Sequence, residues 1–189
     1  AQAGLIGNVV WESALNPWRW GYDQPGAVDD PYTGYGLFQF TPPNTYINQQ
    51  NSTLPGYAPN MTPLYQTPGA SPTDGYAQMV FFYTNMTQNP QNWIGYCWRP
   101  GWDAEIISAG ESLAYYHGIR DHCLNTWGDG SYITFQEFCN CTNVADATFI
   151  FLACFEGPLH PLQYDSRVTS ANKAMEISTI ILRPMETFI

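Results

Sequence analysis

The sequence predicts a mainly α fold with some α+β character, in which a helical domain carries long ordered loops and a small β-hairpin. Apolar residues recur at steps of three to five positions in several segments, which is typical of helices with one buried face. One long stretch, residues 18–68, is instead dense in Gly, Pro, Asn and Tyr, as loops are. At 189 residues, the chain is short enough to form one domain spanning residues 1–189.

The first helix is expected over residues 2–15, where apolar side chains form one stripe. Gly4 and Gly7 lie one helical turn apart, and their lack of side chains predicts close packing against a neighbouring backbone. The Asn16-Pro17 pair should end the helix, because the residue before a proline is pushed out of the helical region. Short strands are expected near residues 35–40, where the hairpin would lie.

Four further segments have helical spacing of apolar residues, and they span about residues 74–86, 103–116, 144–156 and 166–182. Ser71, Thr73 or Asp74 is a candidate N-cap for the first of them. Gly118 is expected to close the second as a C-cap. The third is apolar nearly all round, which predicts a buried helix.

The charge balance excludes two classes of partner. Lys and Arg number 6 against 16 Asp and Glu, so the formal net charge is -10. So few cations cannot neutralise a nucleic-acid backbone or hold an anionic membrane surface, and no apolar run is long enough to span a bilayer. The aromatic share of 16% instead favours a neutral, polar and flat-faced ligand, because Tyr and Trp join an apolar ring to a hydrogen-bonding tip. Carbohydrate fits that description.

The cysteines and histidines lead us to expect no metal and no cofactor. The five Cys include no C-x-x-C pair, and their spacing to the three His matches no standard zinc site. The segment DGSYITFQEF is similar to half of a calcium-binding loop, but Glu137 falls one position too late to be its bidentate ligand.

Glu12 is the candidate catalytic acid. It lies one helical turn after Asn8, near the C-terminal end of the first helix, and the three residues before it are apolar. Apolar surroundings and the negative end of a helix dipole both disfavour the charged form of a carboxyl, which suits a general acid. A surface glutamate with its charge in water is the structural alternative.

Two motifs carry a resemblance to a known family. The helix motif GNVVWESALNP is followed by the turn motif GYGLFQFTP, and together they resemble the goose-type lysozyme and lytic transglycosylase superfamily. Within it, the chain is most similar to the phage tail lysozyme family of tail-tip peptidoglycan-degrading proteins. The similarity continues through ITFQEF and ATFIFLACFEGP to Arg167, so it covers nearly the whole chain and implies a lysozyme-like fold.

Two features depart from the family pattern. The usual Glu-Arg-Pro motif reads Glu156-Gly157-Pro158 here, so any role of its arginine is absent. Residues 98–131 look like an insertion relative to compact members of the family. Cys97 and Cys123 bracket most of that insertion, and we predict that they form a disulfide across it.

The resemblance implies that Glu12 protonates the sugar oxygen that leaves. An inverting hydrolase needs a second carboxylate as the base that activates water. Asp23, Asp29 and Asp30 are candidates for it, and Asp30 is preferred. Its structural alternative is a solvated loop residue that caps a turn beside Pro31.

Four residues are expected on the substrate side of the site. Tyr35 would stack its ring on a sugar face, and Gln39 would bind an N-acetyl group or a hydroxyl. Asn8 would orient Glu12 or touch the substrate, and Glu156 would line the cleft. The structural alternatives are a core amide for Gln39 and support of a helix end for Glu156.

The resulting prediction is a muramidase, a glycoside hydrolase that cuts the β-1,4 bond between N-acetylmuramic acid and N-acetylglucosamine. It would act on the glycan strands of bacterial peptidoglycan, from the tail tip of a phage virion beside other tail proteins, or as an extracellular antimicrobial enzyme. Two alternatives stay open. A lytic transglycosylase uses the same Glu but closes a 1,6-anhydro ring, and a cell-wall-binding or structural tail module keeps the fold without turnover.

Overall fold

The computed structural model of the chain describes residues 1–17, 19, 32–40, 74–156 and 163–186. Within these ranges the protein is mainly helical and has no strand, which confirms the predicted fold class. The seven α-helices of this part of the chain are α1 (Gln2–Ser13), α2 (Asp74–Gln88), α3 (Trp102–Ser108), α4 (Leu113–Trp127), α5 (Phe135–Asn140), α6 (Val144–Phe151) and α7 (Tyr164–Glu186). None of these described helices is long and apolar enough to cross a membrane.

The chain divides into two compact units. One comprises Ala1–Trp11 together with Asn89–Ile189, and the other comprises Glu12–Gln88. The boundary falls inside α1, so the last two residues of that helix belong to the second unit. The prediction of one domain over residues 1–189, with an insertion at 98–131, stays a prediction.

Helix α6 is the core of the first unit. Phe149, Ile150 and Phe151 have no exposed surface, and burial continues as far as Cys154 in the π-helical turn Leu152–Glu156 that follows. The helix packs against α4, α5 and α7. An α-helix that is apolar on every face is stable only when other elements surround it, as they do here. The predicted buried helix is confirmed.

Two glycines let α1 pack closely on its neighbours in the first unit. A Cβ atom at Gly4 would lie 2.6 Å from backbone atoms of Ala147 and Thr148 in α6. At Gly7 it would lie 2.5 Å from the carbonyl oxygen of Arg167 in α7. No side chain fits at these distances, so the backbone-to-backbone packing predicted from the glycine spacing is confirmed.

The predicted third helix, residues 103–116, is wrong as a single element. It is two helices, because the chain turns at Gly110, whose φ of 75° is left-handed, and restarts after Ser112. The Ser112 side chain caps α4 by accepting a hydrogen bond from the Tyr115 backbone N–H. Gly118 was expected to be a C-cap and instead lies inside α4.

Helix α5 was not predicted from the sequence. It has only six residues, too few for an apolar period to be visible. Its start is nevertheless defined by a capping box, in which the Thr134 hydroxyl accepts from the Glu137 N–H and the Glu137 carboxylate accepts from the Thr134 N–H. That Thr-x-x-Glu signature was the local signal that could have located the helix.

The second unit has an aromatic core between α2 and the 35–40 turn. The Phe38 ring stacks on Phe82 with centroids 4.5 Å apart, and Phe40 meets Phe81 edge-on at 5.5 Å. All four rings are buried. These contacts attach the turn to the helix.

The described cysteines are free thiols, so the predicted Cys97–Cys123 disulfide is not formed in the structure. Cys97, Cys123 and Cys154 are all buried. The Cys97 sulfur lies 3.2 Å from the Cys154 sulfur. Cys154 is therefore the partner that the geometry favours for Cys97, and the pairing with Cys123 stays an untested prediction for the oxidised protein.

Candidate active site

Glu12 lies on the last turn of α1, and its side chain is partly exposed. The backbone is unusual from the second residue after it. Ala14 and Leu15 have φ values of 52° and 61°, so two successive non-glycine residues are left-handed. Each such residue costs on the order of 1 kcal/mol, and this conformation persists only where surrounding structure enforces it. The helix end that carries Glu12 is thus sharply terminated.

The GYGLFQF motif forms a tight turn instead of a hairpin of two strands. Tyr35 and Phe40 are joined by a pair of antiparallel backbone hydrogen bonds of 3.2 and 2.9 Å, and this is the whole of the predicted β-structure in the described residues. Gly36 is left-handed, with φ 81°. Gln39 has φ 47° and is the third non-glycine residue in this conformation among the described residues.

The Gln39 side chain stabilises the turn through hydrogen bonds to backbone carbonyl groups. Its side-chain amide nitrogen donates to the carbonyl oxygens of Gly36, at 2.9 Å, and Arg19, at 3.2 Å. A Cβ atom at Gly34 would lie 2.6 Å from the Gln39 Oε1 atom, so glycine is needed there. The first of the two turn glycines therefore gives room for this amide, and Gln39 joins the turn to the segment that follows Glu12.

Gln78 on α2 is a residue of the candidate site that the sequence did not single out. Its side chain is fully buried, and its Oε1 atom accepts a 2.7 Å hydrogen bond from the Leu37 backbone N–H. Its Nε2 atom donates to the Pro17 carbonyl oxygen. One amide thus ties the turn to the chain just after Glu12. The available signal was a glutamine directly before the most apolar part of the helix, because a buried amide must be hydrogen-bonded.

A buried polar cluster lies in the first unit around Arg167 of α7. Arg167 has no exposed surface, and its guanidinium forms an ion pair with Glu156, whose side chain is 6% exposed. The same Nη1 atom donates to the Asn8 Oδ1 atom at 2.9 Å, and Nη2 donates to Gln163 Oε1 at 3.2 Å. The Trp11 ring lies 6.0 Å from the guanidinium carbon, within the range of a cation–π contact.

Asn8 and Glu156 are held inside this cluster, away from solvent. The Asn8 amide nitrogen donates to the carbonyl oxygens of Gly4 and Thr148, at 2.8 and 3.1 Å. With its oxygen bound to Arg167, the amide is used on both sides, which favours a positioning role in α1 over contact with a ligand. Glu156 is bound by Arg167 in the way that supports a helix end, the structural alternative for that residue.

The remaining predicted site residues are Tyr35 and the three candidate bases. The Tyr35 side chain is only 1% exposed, which leaves no open ring face for a sugar and corrects its expected stacking role. Asp30 lies outside the described residues, as do Asp23 and Asp29. No group of three or more His, Cys, Asp or Glu side chains that could hold a metal ion occurs in the part of the chain that the structure describes.

Comparison with known proteins gives one finding. The family model described as phage tail lysozyme matches residues 1–177, which is nearly the whole chain. Neither a curated protein nor a solved structure matches. The matched range includes Glu12, the 35–40 turn and Arg167. The chain therefore belongs to the phage tail lysozyme family, whose members are peptidoglycan-degrading enzymes of phage tails.

Proposed function

We propose that the protein is a muramidase that hydrolyses the β-1,4 bond between N-acetylmuramic acid and N-acetylglucosamine, with Glu12 as the general acid. Glu12 gives its proton to the O4 atom of the leaving N-acetylglucosamine. A water molecule adds at C1 of N-acetylmuramic acid, so each cut consumes one water and leaves a reducing muramic acid end. The site of action is the bacterial cell wall, reached by the tail tip of the virion.

The observation that carries this proposal is the position of Glu12 at an abruptly ended helix. The left-handed pair Ala14 and Leu15 begins two residues after Glu12, and Gln78 and Gln39 tie the next segment to the 35–40 turn. A general acid must be held in one place relative to the glycosidic oxygen. Buried amides and enforced backbone conformations are the means by which a chain holds a catalytic group still.

Asp30 remains the proposed base. An inverting hydrolase places it about 6.5 to 9.5 Å from the acid, with the attacking water between them. Because Gln39 is partly exposed, it stays the proposed substrate-side residue of the turn. Tyr35 becomes a support for that turn, and Asn8 and Glu156 become positioning residues.

The first test removes the proton that Glu12 supplies. Glu12→Gln keeps the shape of the side chain, and we expect its activity on purified cell walls to fall by about 100-fold or more. Glu176→Gln is the matched control, since Glu176 is an exposed glutamate on α7. The assay is turbidity loss of purified walls. A Glu12→Gln variant as active as the parent would exclude Glu12 as the acid and favour a binding or structural tail module.

The second test separates hydrolysis from transglycosylation. Walls are digested in ¹⁸O-labelled water and the fragments are analysed by mass spectrometry. Hydrolysis puts one labelled oxygen at each new reducing end, whereas a lytic transglycosylase forms 1,6-anhydro ends with no label. Labelled reducing muramic acid is the expected product, and a majority of anhydro ends would overturn the muramidase proposal in favour of the transglycosylase.

A further inference from the structure

The first unit contains a cavity that no part of the proposed catalysis uses. Its volume is about 540 Å³, within the range of small-molecule sites. Its wall comes mainly from one continuous segment, residues 94–100, and is completed by Leu124 of α4 and by Ser131. A concave site formed by neighbouring residues of one unit can bind a ligand without any movement of the rest of the chain.

The segment that forms the wall is irregular, with a left-handed Gly95 at φ 72°, and its residues alternate in exposure. Ile94 and Tyr96 are 40% and 62% exposed, whereas Gly95 between them and Cys97 after them are buried. Two backbone hydrogen bonds hold it in place, from the Ile94 N–H to the Cys154 carbonyl oxygen and from the Ile133 N–H to the Gly95 carbonyl oxygen. The buried residues on either side of Tyr96 fix the backbone there, and the Tyr96 ring itself is exposed.

Trp98, the second large aromatic residue of the cavity, is braced on several sides. Its indole N–H donates to Asp103 at 2.9 Å, and the Trp102 and His117 rings meet it edge-on at 5.2 and 4.8 Å. The Arg120 guanidinium lies 5.1 Å from the centroid of its ring. An aromatic wall whose rotamer is fixed before binding loses little entropy when a ligand arrives.

Arg99 supplies charge to this aromatic cavity. Its Nε atom is buried and has no hydrogen-bond partner among the described residues. Burial also lowers the pKa of the Arg99 guanidinium from its ordinary value, as expected for a cation removed from water. The described lining of the cavity contains no carboxylate, although the chain has 16 acidic residues against 6 basic ones. The Arg99 side chain is the charged group in the lining, so a ligand carboxylate in the cavity would meet its guanidinium.

We propose that this cavity is an accessory site for a muramyl peptide, in which Tyr96 and Trp98 contact the N-acetyl sugar and Arg99 binds a carboxylate of the attached peptide. The inference rests on the proposed function, because it assigns to the same substrate a second contact that does not involve Glu12. Aromatic rings suit the apolar faces of a sugar, and the planar guanidinium suits a carboxylate. Such a site would keep the enzyme on peptide-bearing strands between cuts.

A protein partner is the less favoured occupant. Tyr, Trp and Arg are also common at the centres of protein interfaces, but the cavity is concave and sized for a small ligand. Protein–protein interfaces of useful affinity bury about 800 Å² on each partner, more than the wall of a single segment offers. The binding experiment distinguishes the two.

The test measures binding by the full chain carrying Glu12→Gln, so that no turnover occurs. The probe is muramyl dipeptide, which joins N-acetylmuramic acid to two amino acids and ends in a free carboxylate, and binding is followed by titration calorimetry. We expect Arg99→Gln to weaken binding about 10-fold or more, because a charge-assisted hydrogen bond is lost. Lys173→Gln removes the same charge from an exposed position on α7 and should leave the affinity unchanged. N,N′-diacetylchitobiose, which has no carboxylate, should bind more weakly than the dipeptide.

Tyr96 provides a second arm that does not depend on Arg99. Tyr96→Ala should weaken binding by a similar factor, whereas Tyr96→Phe keeps the ring and should retain most of the affinity. Circular dichroism spectra confirm folding, and if Arg99→Gln fails to fold, the two Tyr96 variants decide the matter. Binding that is absent, or that is unchanged by both Arg99→Gln and Tyr96→Ala, overturns the proposal. That result would leave the muramidase standing, whereas an active Glu12→Gln variant would remove the muramidase whether or not the cavity binds.

Discussion

Backbone conformation differs between two regions of the molecule. One is the set of helices between residues 102 and 151, and the other is the segment around Glu12. Helices α4, α5 and α6 each begin with a side chain that accepts a backbone N–H, from Ser112, Thr134 and Asn143. Every left-handed residue described in that region is a glycine. After Glu12 and in the 35–40 turn, in contrast, Ala14, Leu15 and Gln39 adopt the conformation that glycine would adopt more easily.

The difference indicates where the chain gives up stability. Capped helices with glycine at left-handed positions are locally consistent, and they form a scaffold that folds with little strain. Left-handed alanine, leucine and glutamine are tolerated when the structure needs a side chain or a fixed backbone at that place. The strained residues of the described chain thus accompany the candidate acid and its turn, as expected for a functional site.

The largest loss of stability is expected from a substitution of Arg167. Arg167→Met removes the ion pair with Glu156 and the hydrogen bond to Asn8, and it leaves the Glu156 carboxylate buried without its partner. We expect the free energy of unfolding to fall by about 3–5 kcal/mol, measured by urea denaturation. Lys173→Met is the control, because Lys173 is an exposed cation on the same helix and its loss should change stability by less than about 1 kcal/mol. Equal losses in the two variants would contradict the assignment of Arg167 to a buried cluster that orders the scaffold.

The next effect is expected at the glycine contacts of α1. Gly7→Ala would place a methyl group 2.5 Å from the Arg167 carbonyl oxygen and 2.6 Å from the Ala171 Cβ atom, so α1 must move. A loss of about 1–3 kcal/mol follows from overpacking of this kind. Gly118→Ala in α4 has nothing within 4 Å of the new Cβ atom, and it should gain up to about 1 kcal/mol from helix propensity. If both variants shift the free energy of unfolding in the same direction, the close packing of α1 at Gly7 is contradicted.

In the strained segment after Glu12, a substitution by glycine should raise the stability, whereas in an ordinary helix it lowers the stability. Ala14→Gly relieves a left-handed alanine, and we expect stability to rise by about 0.5 kcal/mol. Ala104→Gly, at an exposed position of α3, should lose roughly 0.5–1 kcal/mol for the ordinary reason that glycine disfavours a helix. Thermal denaturation of both variants gives the comparison. A loss of the same size at both positions would show that the backbone at Ala14 is not strained.

The smallest effect is expected from oxidation of the cysteine pair in the scaffold. With hydrogen peroxide, an oxidant small enough to enter the packed interior, the two thiols of Cys97 and Cys154 would lose two electrons and two protons and form one S–S bond, while the peroxide is reduced to two water molecules. The sulfurs start 3.2 Å apart and need only approach to about 2.05 Å, so the fold should change little. Peptide mapping without reduction identifies the bond. A Cys97–Cys123 linkage would instead bear out the pairing predicted from the sequence.

Local elements were predictable because they depend on residues close together in the chain. The start of α1, the course of α6 and the close approach at Gly4 and Gly7 all follow from local spacing. The predicted end of α1 at Leu15 lies two residues too late, because Ala14 and Leu15 are left-handed and the helix ends at Ser13. The third predicted helix was wrong because its apolar spacing runs across a break, and the left-handed turn at Gly110 is not visible in that period. Tyr35 was assigned to a substrate because an aromatic residue in a glycine turn can be a ligand contact or a core residue, and only packing distinguishes them.

The sequence by itself determined that this is a mainly helical member of its family, with Glu12 at the end of its first helix and few cations for an acidic surface. Spacing, capping signals and motif order carry that information. Tertiary structure alone decided which polar side chains are buried together. Asn8 and Arg167 are 159 residues apart, and Gln78 lies 41 residues from the turn it holds. Partners so distant leave no mark on local periodicity, because a buried hydrogen bond depends on distance in space and not on distance along the chain.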